Sequence, residues 1–307
     1  MTRRSWLLFA SMGLIWGVPY LFIKVAVEHV APPVVVFGRT ALAVVPLMFF
    51  AVRAGAVRPA LARWRPLLAF AALEMAIPWL LLTDAERHLP SGLTGLLIAC
   101  VPIAGAIVAF VLGDRGALAP RRLLGIGLGL GGVAFLVAAD LGGDAPWWSI
   151  VEVLLVCVGY ATAPFIAAHR LADVPDIGVV AVAIGAVAIV YAPIAWITRP
   201  DEPPPAEAWF AIVALAFLCT ALAFVVFFRL IAAVGPARAT LITFVNPAVA
   251  VVVGAVVLDE RITVATLVGF ALVLAGCWLA TRHEPDVIGG IPVVVDGPAP
   301  YASGSER

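Results

Sequence analysis

Three ionisable residues stand out within the long apolar stretches of this chain of 307 residues: Lys24, Arg39 and Glu74. Ionisable side chains at membrane depth are costly and rare, so each is a candidate functional residue. Lys24 is the only lysine of the chain, and a buried lysine, unlike an arginine, can lose its proton. If all three are ionised and share one cavity, a positive charge is left over. A substrate carboxylate, such as that of an amino acid or an organic acid, would balance it.

Each of these residues also has a structural interpretation. Lys24 lies near the outer end of its segment and could extend to the lipid headgroups as an anchor. Arg39 could hold the first two segments together through backbone carbonyls, and we slightly favour this role. Glu74 is too deep to reach the headgroups easily, so it either pairs with Lys24 or Arg39 or carries a proton. A carboxylate that switches between those states is what coupling to protons requires.

Composition predicts the elements that position these residues. Hydrophobic residues make up 64% of the chain and charged residues 12%, whereas an average soluble domain has about 25% charged residues. Apolar runs close to the roughly 20 residues that cross a bilayer recur along the chain, and they lack the alternation of a β-barrel. We therefore expect an all-α integral membrane protein in the lipid bilayer. The first apolar run is too long for a typical signal peptide, which predicts a retained first helix.

Ten transmembrane segments are predicted, with short loops between them. Arginines are concentrated in the loops on one side, and only Arg87, Arg199 and Arg261 lie on the other. Positively charged loops face the cytoplasm, so both termini are predicted to be cytoplasmic. Residues 283–307 are rich in glycine and proline and are predicted to form a disordered cytoplasmic tail. The predicted segments are 5–27, 34–52, 66–83, 91–112, 121–139, 148–168, 177–198, 208–228, 237–258 and 263–281.

The pattern excludes several other kinds of chemistry. A net charge of 0 gives no electrostatic case for a nucleic-acid partner. The cysteines stand alone in apolar runs and the histidines lie at segment ends, without the spacing of metal or redox sites. No nucleophile–base pair is recognisable, so we predict no catalytic residues, no metal and no other cofactor. Without such a pair, a membrane-embedded enzyme stays an alternative, as does a non-transporting scaffold or sensor.

The chain contains an internal repeat. Pro102 corresponds to Pro247 at an offset of 145 residues, and Asp114 corresponds to Glu260 at an offset of 146. We interpret the charges of "GDR" and "DER" at these loops as ending the spans at the interface, with no chemistry. The two copies are predicted at 1–140 and 146–282. Each has five segments, an odd number, so the second copy is predicted to be inverted, as is typical of secondary transporters that bind substrate between the halves. Gly125 with Gly269, and Gly132 with Gly276, are further equivalent pairs, at an offset of 144.

Other residues within the segments add candidates for the substrate pathway. Trp16, Tyr20, Trp79 and Tyr160 are predicted to line it, although such residues also populate interfacial belts. Asn246 either contacts substrate or hydrogen-bonds a neighbouring helix, and we favour the packing role. The glycines of "GIGLGLGG" (125–132) predict close helix packing or a dimer face. Prolines bend helices by leaving a carbonyl unpaired, and kinks are predicted at Pro19, Pro78, Pro102, Pro164 and Pro247.

Three stretches carry a resemblance to a known family. They are "LIWGVPYLFIKVAVEHVAPPVVVFGRTALA", "P…LGDR…GIGLGLGGV" and "VGPARATLITFVNPAVAVVVGAVVLDERITVATLVGFALVLAGCWL". From Ser5 to Arg282 the chain resembles the EamA-like branch of the drug/metabolite transporter superfamily. In one respect it departs from the family pattern, which usually has glutamate at the position of Asp114.

This resemblance implies a ten-helix exporter of small organic molecules. Its relatives handle amino acids, other metabolites or toxic compounds, and helices one, three and four of each half line a central cavity. We therefore expect a secondary transporter that exports a small-molecule substrate across the cell membrane by alternating access. Protons are a candidate coupling ion, and a homodimer is a candidate assembly.

Overall fold

The computed structural model of the chain describes residues 2–111, 120–140, 146–235, 240–281, 287–288 and 291–292. Asp114, which departs from the family pattern, lies outside these residues. The predicted tail also lies largely outside them. Within it, strands β1 (Val287–Ile288) and β2 (Ile291–Pro292) form a short antiparallel pair.

The rest of the described chain is almost entirely helical. Two π-helical turns, Ala72–Ala76 and Phe217–Leu222, and one 3-10 turn, Thr240–Phe244, interrupt the α-helices. The α-helices are α1 (Arg3–Gly17), α2 (Pro19–Val27), α3 (Pro32–Arg53), α4 (Val57–Ala62), α5 (Trp64–Ala71), α6 (Ile77–Ala85), α7 (Ser91–Ile98), α8 (Val101–Val111), α9 (Pro120–Asp140), α10 (Trp147–Arg170), α11 (Asp176–Ile197), α12 (Ala206–Ala216), α13 (Ala223–Val234), α14 (Asn246–Val257) and α15 (Val264–Thr281).

Helical structure lies within each of the predicted segments. A bilayer offers the backbone no water, so an apolar segment must satisfy its own N–H and C=O groups, and a helix does this. Two shorter apolar helices cover 242–257 and 264–280. Among the described residues, seven stretches are long and apolar enough to cross a membrane: Arg3–Val27, Pro32–Arg53, Trp64–Ala85, Ser91–Val111, Trp147–Arg170, Asp176–Ile197 and Ala206–Val234.

Several helices are interrupted next to a proline. Helix α2 begins at Pro19, and only Val18 separates it from the end of α1 at Gly17. Pro102 is the second residue of α8, and Pro247 is the second residue of α14. Proline has no N–H, so it fits the first turn of a new helix, where no partner is needed. Pro78 follows the π turn of the third span, whereas Pro164 lies within the uninterrupted α10.

Long helices from different parts of the chain pack along one another. Helix α9 lies along α15, α3 along α11 and α7 along α14, while α10 contacts α6 and α2 contacts α12. The predicted glycine face is used between α9 and α15. A β-carbon added to Gly125 would lie 2.7 Å from the carbonyl oxygen of Gly276, and one added to Gly132 would lie 3.1 Å from that of Gly269. Gly127 and Gly131 are open, because no atom of the described residues lies within 4 Å of a β-carbon added to either.

Candidate functional site

A buried arginine forms the centre of the first polar cluster. Arg39 of α3 is only 7% exposed. Its Nε donates to the hydroxyl of Thr220 at 2.7 Å, and its guanidinium carbon lies 3.8 Å from the centre of the Trp79 ring. Thr220 belongs to the π turn between α12 and α13 and donates to the carbonyl of Leu215 at 2.8 Å. The cluster therefore joins the third and eighth predicted segments through a residue of the second.

Two tyrosines lie close to this arginine. Tyr20 and Tyr160 are near enough to Arg39 to interact with its charge. Tyr160 also interacts with Glu74 and Trp79, and Tyr20 is only 7% exposed. The structure therefore brings together Arg39, Trp79, Tyr20 and Tyr160 among the residues singled out from sequence, with Glu74 beside Tyr160.

Glu74 lies within the π turn Ala72–Ala76. Its Oε2 is buried and has no hydrogen-bond partner among the described residues. The ion pairs among the described residues involve neither Glu74 nor Arg39. The π turn is closed by the N–H of Ile77, which donates to the carbonyl of Ala72. The hydroxyl of Tyr191 donates to the carbonyl of Ala76 at 2.9 Å. Such turns are rare in helices and are frequent at functional sites.

Lys24 belongs to a second cluster. Its Nζ donates to the carbonyl of Glu86 at 2.8 Å and to that of Leu89 at 3.2 Å, in the connection between α6 and α7. These carbonyls follow the end of a helix, where the backbone has no intrahelical partner and a cation is favourable. The structure therefore does not place Lys24 with Arg39 and Glu74 in one group. The hydrogen bonds of Lys24 go to backbone carbonyls, and its charge also acts on the carboxyl group of Glu86.

The charges of "DER" follow the end of α14 at Val257, and Glu260 in addition makes a contact that the sequence did not predict. Its carboxylate accepts hydrogen bonds from the N–H groups of Ser91 at 2.6 Å and Gly92 at 2.8 Å, at the start of α7. Asp259 has a φ of 53°, in the left-handed region, which turns the chain sharply before Glu260. Gly254 leaves room for this contact, because an added β-carbon would meet the Glu260 carboxylate and lie 2.8 Å from the Ser91 hydroxyl.

Two further carboxyl groups were missed from sequence. Glu86 is 0% exposed, and both its carboxyl oxygens lack a partner among the described residues. It falls between two predicted segments, so it looked like a residue of an outer loop. Glu152 lies inside a predicted segment and has a buried oxygen without a partner in the described part of the chain. The rule that singled out Glu74, an ionisable residue within an apolar run, would also have found Glu152.

Trp16 and Asn246 contribute to helix packing. The Trp16 ring packs against Phe227, with ring centres 4.7 Å apart, and against Phe224. In the amide orientation that satisfies both of its atoms, Asn246 donates to the carbonyls of Ile242 at 3.0 Å and Gly13 at 3.2 Å. Both side chains therefore hold α1 against the C-terminal half of the chain.

An open apolar groove of about 580 Å³ lies on α3, apart from the clusters around Arg39 and Lys24. It is lined by Val44, Val45, Met48, Phe49, Val52 and Arg53.

Known proteins resemble the chain over most of its length. The inner membrane transporter YedA of Escherichia coli K12, itself uncharacterised, is 29% identical over 255 residues, covering 80% of this chain and 79% of the relative. The probable terminal-alkyne amino-acid exporter of Streptantibioticus cattleyicolor is 28% identical over 291 residues, covering 92% and 95%. The probable amino-acid metabolite efflux pump of Salmonella typhimurium is 23% identical over 291 residues, covering 91% and 95%.

A solved structure has the same fold. One crystal structure superposes on 92% of this chain and 97% of its own with a TM-score of 0.63, at 22% sequence identity. The model of the EamA-like transporter family matches residues 4–138 and again residues 147–282. Because these two matches cover most of the chain, the protein belongs to the EamA-like transporter family, and it is a membrane transporter rather than an enzyme.

Proposed function

We propose that the protein is a secondary transporter that exports a small carboxylate-bearing molecule through the central cluster around Arg39. The observation that carries this proposal is the environment of Arg39. Its guanidinium is buried, contacts the neutral side chains of Thr220 and Trp79, and has no ion-pair partner among the described residues. A buried cation without a counter-charge is costly, and a substrate carboxylate would supply that charge.

The chemistry of the guanidinium suits this role. Arginine carries five N–H donors in a planar fork and binds carboxylates with two parallel hydrogen bonds. Only the Nε is bonded within the described residues, so the terminal nitrogens are available for a ligand. The Trp79 and Tyr160 rings beside it offer apolar surface for the rest of the molecule.

The architecture we propose is ten helices in two inverted units, at 1–140 and 146–282. The glycine contacts support it, because Gly125 meets Gly276 and Gly132 meets Gly269. Equivalent residues thus exchange partners, as expected for a two-fold relation, and the two equivalent helices run in opposite directions. The π turns support it too: Ala72 and Phe217 begin them at the repeat offset of 145 residues.

Alternating access fits this arrangement. In secondary transporters the substrate site lies near the midplane, between helices that are discontinuous there. Here the interruptions at Pro19, Pro102 and Pro247 and the two π turns fall on the first, third, fourth, eighth and ninth predicted segments. Arg39 and Thr220 belong to different halves, so a movement of one half against the other would change their contact.

Protons are the coupling ion we propose, with Glu74 as the group that binds them. An ionised carboxylate without donors is unfavourable in a buried setting, which favours a proton on Glu74 in this state. Loss of that proton would create a negative charge near Tyr160, which itself interacts with Arg39. That charge would act on Arg39 through Tyr160, which interacts with both residues, and would link release of the Glu74 proton to binding of the substrate carboxylate.

Two relatives have names that refer to amino acids, and we extend this substrate class to the present chain. Other carboxylate-bearing metabolites and toxic compounds are further candidates.

We place the protein in the cell membrane, with both termini and the tail from residue 283 in the cytoplasm, on the distribution of arginine. A homodimer through the open glycines of α9 is the assembly we would test.

A comparison of culture media by mass spectrometry tests the proposal. Cells would express the wild type, Arg39→Gln, or Arg53→Gln at matched membrane abundance. Arg53 is an exposed control whose guanidinium lies over Phe49. We expect a carboxylate metabolite to accumulate outside with the wild type and Arg53→Gln, and not with Arg39→Gln. Equal export by Arg39→Gln, or selectivity that ignores a carboxylate, would overturn the central role of Arg39. If the protein were an enzyme, its expression would change the chemical identity of a metabolite instead. If it were a scaffold, neither the export nor the identity of a metabolite would change.

A further inference from the structure

The connection between α6 and α7 is held from two sides. Lys24, from α2, binds the carbonyls of Glu86 and Leu89. Glu260, from the turn after α14, binds the N–H groups of Ser91 and Gly92. One of these side chains belongs to the N-terminal half and the other to the C-terminal half. We call Lys24, residues 86–92 and Glu260 the latch, and the orientation proposed above places it on the outer side.

The side chain of Glu86 is enclosed in this latch. It is 0% exposed, with neither oxygen bonded to any described residue. Lys24 and Glu260 act on its charge, and Tyr20 of α2 lies near it. On its own turn, Arg87 pairs with Asp84 at 3.2 Å, and the His88 ring packs against Trp148. Glu152 of α10 interacts with Asp84.

The two protonation states of Glu86 act differently on the latch. A neutral carboxyl leaves Lys24 on the two carbonyls and leaves Glu260 on the two amides. An ionised Glu86 carboxylate would have no donor among the described residues. It would attract the Lys24 ammonium away from the carbonyls and repel the Glu260 carboxylate. Both contacts that hold residues 86–92 are therefore weakened when Glu86 loses its proton.

We infer that Glu86 is a proton-binding site that controls the latch, which is closed when Glu86 is protonated and is released when Glu86 is ionised. Burial raises the pKa of the Glu86 carboxyl well above its usual range; the Lys24 charge lowers it, and the Glu260 charge raises it again. The closed latch thus binds more protons than the open one. Its closure is fully stable below the ordinary carboxyl pKa and weakens as the pH rises towards the raised value.

The role of the latch in the transport cycle rests on the proposed function, whereas its control by the protonation of Glu86 does not. If the latch closes the outer side, a proton arriving from outside closes it and returns the empty transporter to the inward-facing state. That order of events is exchange of an external proton for an internal substrate. The protonation of Glu86 would then be separate from that of Glu74, which lies in the central region.

Amide hydrogen exchange of the full chain in lipid nanodiscs tests the latch without a substrate. The readout is protection of the peptide containing Ser91 and Gly92, whose amides are bonded to Glu260, corrected for the intrinsic effect of pH. In the wild type we expect protection to fall roughly tenfold or more between about pH 5 and about pH 9, because one pKa unit corresponds to a factor of ten. Glu86→Gln should retain protection at both pH values.

Two variants serve as controls. Glu152→Gln removes another carboxyl at the same end of the bundle and should keep the wild-type pH dependence. Glu260→Gln removes the acceptor charge and should lower protection at every pH. A wild type whose protection does not change with pH, or a folded Glu86→Gln that keeps the wild-type change, would overturn the inference. Neither result would affect the central site, which is tested by export and by Arg39→Gln.

Discussion

The Nε of Arg39 and the hydroxyl of Thr220 are 2.7 Å apart, and this hydrogen bond joins the two parts of the chain that match the family model, 4–138 and 147–282. Thr220 is placed there by a π turn, which shifts the residues of that turn relative to a regular helix. Trp79 lies against the guanidinium from the third predicted segment. The arginine is thus held by groups that leave its positive charge uncompensated, as a binding site for an anion requires.

Arg39→Lys should abolish most of the transport even though it keeps the charge. Arginine donates to Thr220 through its Nε–H and still presents a planar fork of N–H groups to a ligand, and lysine cannot do both. The lysine ammonium also does not stack on Trp79 as a guanidinium does. Loss of a hydrogen bond to a charged group costs about 1.5–3 kcal/mol, which is a tenfold or greater decrease in rate. The initial rate of export, at matched membrane abundance, measures this. Arg53→Lys is the matched control, and wild-type rates for both variants would contradict the prediction.

Glu74→Gln should flatten the pH dependence of transport. Glutamine is close to the shape of a protonated glutamate but cannot exchange a proton, so a cycle that needs proton binding at Glu74 loses its response to pH. Flux measured across a range of external pH tests this, with Glu202→Gln as a control, since Glu202 is an exposed loop residue. The same pH profile in Glu74→Gln and the wild type would rule out Glu74 as the coupling group.

The helices could be predicted from sequence because hydrophobicity alone determines where a backbone can cross a bilayer. The repeat offsets also identified Pro102 and Pro247, which lie at equivalent helix starts. The π turns could not be predicted, since "ALEMA" and "FLCTAL" have ordinary helical composition. The surroundings of Glu86 could not be predicted either, because the charges that act on it, Lys24 and Glu260, are distant in the chain.

Substitutions of two nearby glycines of α9 should have opposite effects on stability. A β-carbon at Gly125 would lie 2.5 Å from the backbone nitrogen of Ala280, and neither backbone can move away easily. Gly125→Ala should therefore lower the free energy of unfolding by about 1–3 kcal/mol. The β-carbon of Gly127→Ala would meet no described residue within 4 Å, and alanine favours a helix over glycine by about 1 kcal/mol. Thermal unfolding in detergent compares the two, and similar losses of Tm would contradict the packing of α9 against α15.

Lys24→Met should destabilise the latch and reduce export. Methionine fills a similar volume but leaves the carbonyls of Glu86 and Leu89 without their donor. Two charge-assisted hydrogen bonds are lost, and such a bond contributes about 1.5–3 kcal/mol to stability. A water molecule can replace part of each interaction, so the measured loss per bond should not exceed this range. Lys24→Arg keeps the charge and a donor and should recover part of the loss. Export rate and the exchange protection of residues 91–92 are the two measurements. Unchanged export together with unchanged protection in Lys24→Met would return Lys24 to the role of an interfacial anchor.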